Sequence, residues 1–90
     1  MSLNHAKFIL FSFENQAQAT VAYDAIKDFD SSRLIPLPPE IDKGCGLSLR
    51  INFDDFDKVI EIFKKEDISF SNVYTFEHEN FKRKIEKYVF

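Results

Sequence analysis

Apolar residues are spaced differently in successive stretches of the chain. Lys7 to Phe13, KFILFSF, is almost continuously aromatic or branched, as expected of a buried strand. The period then changes. Ala19, Ala22, Tyr23, Ile26 and Phe29 recur every three or four residues and so share one face of a helix over residues 16–29, with Asn15 and Gln18 fitting a capping pair at its start. Arg33 to Leu37 form a short strand stopped by Pro38 and Pro39, because proline lacks an N–H and restricts the residue before it. In the next stretch Leu47, Leu49, Ile51 and Phe53 alternate with Ser48, Arg50 and Asn52, so a strand there turns one face to the core and the other to polar surroundings.

Helical spacing returns in DDFDKVIEIFKKED. Asp54 fits the cap with Asp57 three residues on, Phe56, Val59, Ile60 and Phe63 form the apolar stripe, and Lys64 and Lys65 suit the negative end of the dipole. A helix over residues 55–66 follows. Phe70 to Glu77 read as another strand, and Phe81, Ile85 and Tyr88 or Val89 can line one side of a C-terminal helix. The resulting order predicts an α+β class, a ferredoxin-like split β-α-β-β-α-β sandwich with an added C-terminal helix. In that topology the connection between the second and third strands lies where the first helix begins. Cys45 would then approach Asn15 and Gln16. His5 and His78 would flank antiparallel neighbours at the opposite end, which disfavours a Cys–His nucleophile and leaves them as ordinary polar edge residues, with metal binding or pH-dependent association as the alternatives.

Composition narrows the picture. Ninety residues, 44% hydrophobic and with 11 phenylalanines, suit one compact domain over residues 1–90. Twelve basic and 15 acidic residues give a formal charge of −3, with acids beside bases rather than in blocks, which speaks against a general nucleic-acid clamp. The longest apolar runs fall far short of the roughly 20 residues that cross a bilayer, and the N-terminal stretch lacks the pattern of a secretory signal. One cysteine excludes an intramolecular disulfide, so a cytoplasmic protein is expected.

The strongest chemical feature is IPLPPEIDKGCGLSLRI, which holds every proline, both glycines and the only thiol. Gly44 and Gly46 allow backbone geometries that expose Cys45 or line it with peptide N–H groups, and such donors near a helix start favour a thiolate. Lys43 adds a charge next door. The plainer alternative is a tight turn around a small, partly buried Cys45. One cysteine and two histidines are too few for a closed structural metal site. The acids of NFDDFDK lack the central glycine of a calcium loop, and neither a Walker-type phosphate loop nor a hydrolase nucleophile elbow is present. The terminal NFKRKIEKYVF, with Phe81 and Ile85 on its apolar side, suits packing on the sheet or partner binding better than RNA, and an unpaired sheet edge would permit a homodimer.

FSFENQAQA, RLIPLPPEIDKGCGLSLRI and FDDFDKVIEIF together resemble the small bacterial selenium/sulfur carrier protein-like domains over approximately residues 7–76, leaving approximately 77–90 as an extension. The most specific part is the arrangement of Arg33, Pro36, Pro38, Cys45 and Gly46. The resemblance implies a carrier, with no permanently bound cofactor, whose Cys45 accepts sulfur as a persulfide, or selenium as the analogous adduct, from a donor protein and hands it to an acceptor. Gly44 and Gly46 would then give access, and Lys43 and Arg33 would be candidates for charge stabilisation. A noncatalytic protein-interaction or small-ligand regulatory module using the tail is the competing reading.

Overall fold

The structure, a computed structural model, describes residues 5–41, 46–79 and 82–88. Its elements are β1 (His5–Ser12), α1 (Gln16–Ile26), β2 (Arg33–Pro36), β3 (Leu47–Asn52), a 3-10 turn (Phe53–Asp55), α2 (Phe56–Lys65), β4 (Asn72–Glu79) and β5 (Lys82–Lys87). The strands form one sheet in the order β2-β3-β1-β4-β5, and every neighbouring pair is antiparallel. The class is α+β, as the periodicities predict.

The C-terminal helix is not formed. Lys82–Lys87 instead pairs with β4, Ile85 opposite Phe76 and Lys84 opposite Glu77, which makes the sheet five-stranded and sets it apart from a simple four-stranded split sandwich. The physical reason is the edge that β4 would otherwise leave open. Pairing there satisfies a row of backbone donors and acceptors that a helix would leave uncovered, and this outweighs the helical preference of a Lys- and Glu-rich segment.

The first helix starts where its cap signal places it. Asn15 Oδ1 accepts the Gln18 N–H at 2.9 Å, and Gln18 Oε1 accepts the Glu14 N–H at 3.1 Å. It ends at Ile26 rather than at residue 29, because the chain turns there through Phe29 N–H to Ile26 O and Ser32 N–H to Phe29 O bonds. Entry into α2 also differs from expectation. Asp54 lies inside the 3-10 turn, and the cap position belongs to Asp55, whose Oδ2 accepts the Ser31 hydroxyl at 2.9 Å and so ties α2 to the α1–β2 turn. At the other end of α2, Asp67 adopts φ 56°, and Ile68 N–H to Phe63 O and Asp67 N–H to Lys64 O bonds close a Schellman motif.

Strand alternation divides the sheet into two faces. Ile9, Phe11, Leu49, Ile51 and Val73 pack with Ala19, Ala22 and Ile26 of α1 and Val59 and Phe63 of α2 in one buried cluster. Phe11 is its hub, with ring centroids 5.1 Å from Phe63 and 5.2 Å from Phe70. The opposite face carries Phe8, Leu10, Ser12, Ser48, Arg50 and Phe76. The polar surroundings expected there are only partly present, since Leu10, Ser12 and Ser48 are fully buried. Arg50 lays its guanidinium 4.5 Å from the centroid of Phe8, whose edge meets Phe76. Among the described residues, no helix is long and apolar enough to cross a membrane.

Candidate functional site

The glycine- and proline-rich connection joins β2 to β3. Lys43, Gly44 and Cys45 lie outside the described residues; Leu37 to Ile41 and Gly46 are described. Gly46 has φ +90°, a conformation that side chains resist, although a Cβ there would meet no atom within 4 Å. Glycine is therefore required by the backbone angle and not by crowding. Beside it the Leu37 N–H donates to Gly46 O at 2.8 Å, which carries the β2–β3 ladder one residue past Pro36 opposite Leu47. The prolines work locally: Pro38 O accepts the Ile41 N–H at 2.9 Å, closing a turn whose Pro38 and Ile41 are buried.

Register locates the end of this connection. Ser48 stands opposite Ser12, the last residue of β1, so Gly46 enters the sheet next to the segment leading to Asn15 and Gln16. Asn15 spends its side-chain oxygen on the Gln18 N–H, whereas Gln16, exposed, gives its carbonyl to the Thr20 hydroxyl at 3.0 Å. The same end of the sheet is held by Ser12, whose hydroxyl oxygen accepts the Asn72 N–H and whose carbonyl accepts the Ser71 N–H. Next to the α1 start, an open cleft of about 380 Å³ is lined by Asn15, Gln18, Val21, Asp67 and Ile68.

Other predicted residues lie elsewhere. Arg33 begins β2, at the far end of that strand from Gly46, and its Nη1 donates to the carbonyls of Asp30 at 2.9 Å and Ser32 at 2.7 Å. His5 and His78 belong to the opposite end of β1 and β4, where His5 pairs with Glu79 and Ala6 with His78; the His78 side chain is exposed. Of the apolar tail pair, Phe81 lies outside the described residues. Ile85 sits half-buried in β5 opposite Phe76, so it belongs to the sheet and not to a helical docking face.

Glu40 is the residue that sequence reasoning missed. It accepts a two-pronged ion pair from Arg83 of β5, with Nε to Oε2 and Nη2 to Oε1 both at 2.8 Å. Arg83 also lies over Phe76, 5.9 Å from the ring centroid. The hydrogen bonds from Arg83, then Glu40's own backbone N–H, hold the Glu40 carboxyl below the usual carboxylate range. No local pattern announces this contact. Its partners are 43 residues apart and meet only once β5 has joined the sheet.

Comparison with known proteins yields no match among curated proteins and none among solved structures. A family model described as "Putative Se/S carrier protein-like" matches residues 8–75, well over half of the chain and including the whole β2–β3 connection. The span begins in β1 and ends within β4, so β5 and Arg83 lie beyond it. On that match the chain belongs to the Se/S carrier protein-like family.

Proposed function

We propose that this protein carries sulfur or selenium on Cys45 between a donor and an acceptor protein. The observation that supports this best is the family match, which covers the connection bearing the only cysteine of the chain. The register adds physical support. Gly46 enters β3 beside the approach to α1, where peptide N–H groups at a helix start favour an anion and hence a thiolate.

The transfer is an exchange without net oxidation. The Cys45 thiolate attacks the outer sulfur of a donor persulfide; a new S–S bond forms on Cys45 as the donor's S–S bond breaks, and the donor leaves as a thiolate. An acceptor nucleophile then attacks the same outer sulfur and releases the Cys45 thiolate. Gly44 and Gly46 give the sulfur access, and Lys43 supplies charge next to it. Selenium follows the same path as the selenium-for-sulfur analogue. The partners are the donor and acceptor proteins, and the cytoplasm, where thiols stay reduced, is the compartment that suits this chemistry. We also read β1 to β4 with α1 and α2 as a split β-α-β pair extended by β5.

Mass spectrometry of the protein after exposure to a cysteine desulfurase and cysteine tests the proposal. The expected result is a gain of one sulfur on the peptide containing Cys45, removed by reductant and absent from Cys45→Ser. No adduct on Cys45 with a desulfurase that loads a control acceptor would overturn it.

A further inference from the structure

Adjacent antiparallel strands need only a short turn between them, yet residues 38–45 separate β2 and its Leu37 extension from Gly46 and β3. Part of that length is spent crossing the sheet. Glu40 departs from the β2 edge and is gripped by Arg83 of β5, the opposite edge, with β3, β1 and β4 in between. At the usual strand spacing, β2 and β5, four spacings apart, are roughly 19 Å from each other. The crossing runs over the face without helices, because Arg83 lies over Phe76, which meets Phe8 on that face. Burial agrees. Leu10 is 0% and Ile41 6% exposed, although neither belongs to the helix-side cluster.

We infer that Arg83, acting through Glu40, is a positioning residue: it pins the β2–β3 connection across the helix-free face and so sets the reactivity of the thiol that the connection carries. The consequence for transfer rests on the carrier reading above; the pinning does not. A guanidinium fork holds a carboxylate in one orientation, whereas an ammonium offers charge without that alignment. Arg83 therefore restricts the connection as well as attracting it. Since β5 lies beyond residues 8–75, this restraint is an addition to the part of the chain that the family model matches.

The test compares the full-length protein with Arg83→Gln, Arg83→Lys, Glu40→Gln and the exchange Glu40→Arg/Arg83→Glu. Three quantities are read: hydrogen exchange at the Leu37 and Ile41 amides, the rate of Cys45 alkylation by iodoacetamide, and sulfur transfer from a desulfurase. Single charge removals are expected to speed Leu37 and Ile41 exchange at least about fivefold while Ile9 and Phe11 stay protected. They should raise alkylation at least about threefold and slow transfer by a similar factor, because loosening Leu37 to Ile41 lets the connection meet a small reagent more often but a docked partner less productively. Lysine should fall between arginine and glutamine, and the charge exchange should return all three quantities towards the wild-type values. A merely structural role would instead speed exchange throughout the sheet. Unchanged Leu37 and Ile41 exchange and alkylation in Arg83→Gln, or global loss of protection in its place, overturns the inference. If the wild type fails to accept sulfur while the exchange and alkylation effects hold, the carrier reading falls and the pinning stands.

Discussion

Two backbone positions with positive φ make opposite demands. Gly46, at φ +90°, has the residue type its conformation asks for, whereas Asp67, at φ 56°, occupies the left-handed position of the α2 cap with a side chain that tolerates it only in part. Replacing each by the other kind of residue should therefore move stability in opposite directions. Gly46→Ala meets no steric obstacle, so its penalty is conformational alone, about 1 kcal/mol after allowing for the lower entropy of the unfolded alanine chain. Asp67→Gly keeps the Ile68 to Phe63 and Asp67 to Lys64 backbone bonds and relieves the strain, a gain of about 0.5 kcal/mol once glycine's extra chain entropy is subtracted. Urea midpoints at constant m-value measure both; a stabilised Gly46→Ala or a destabilised Asp67→Gly would contradict the assignment. The glycine beside the thiol was visible in the chain as a turn signal. Asp67 was not, because an Asp at the end of KKED carries no mark that distinguishes a left-handed cap from an exposed helical acid.

At the level of elements, legibility followed the amount of apolar surface each segment shows. Strand β3 and helix α2 carry clean periods of two and of three to four, and both form within a residue or two of the positions their periods indicate. Segment β5 defeats the same reasoning. It has one half-buried apolar residue, Ile85, among Lys, Arg and Glu, so its alternation is hidden, while Phe81, Ile85 and Tyr88 or Val89 imitate a helical stripe. What decides its structure is the neighbouring edge of β4, which no local window contains. The strand also delivers Tyr88 to the helix-side core: its N–H bonds Val73 O at 2.8 Å, and its ring stands 5.1 Å from Phe56 and 5.8 Å from Phe53 in edge-on contacts. Tyr88→Ala should consequently destabilise the whole protein by about 2 kcal/mol, from lost apolar burial and lost aromatic pairing, and should hasten exchange in β5 before β1. A C-terminal segment that were merely an appended helix would let Tyr88→Ala leave the denaturation midpoint where it is.

Across the whole molecule, one ion pair ties the β2–β3 connection to the far edge strand β5. The sequence displays the thiol, its glycines and the prolines because these are neighbours along the chain; the Glu40–Arg83 pair requires strand order, register and the path of a connection to be known together. Its response to pH follows from the direction in which Glu40 is shifted. Arg83's hydrogen bonds, Glu40's own amide and the guanidinium charge favour the carboxylate in the folded protein, so the folded pKa lies below the ordinary value of 4.5. A depressed acid contributes its full stabilisation above the unfolded value and loses it as pH falls through the folded one. His78, opposite Arg83 in the β4–β5 register, and the adjacent Lys82 and Lys84 bring no negative charge that would compete for the guanidinium. The pair should accordingly persist at neutral pH and open only in acid, as pH falls through the lowered Glu40 value. A carbon-detected titration of the Glu40 carboxyl should give a midpoint under 4.5 that moves upward in Arg83→Gln, with Ile41 amide exchange, corrected for its intrinsic pH dependence, accelerating over the same acidic interval. A Glu40 midpoint indifferent to Arg83→Gln would mean that the two edges are not joined in solution, and the β2–β3 connection would then be held by its ladder bond at Leu37 and the burial of Pro38 and Ile41 alone.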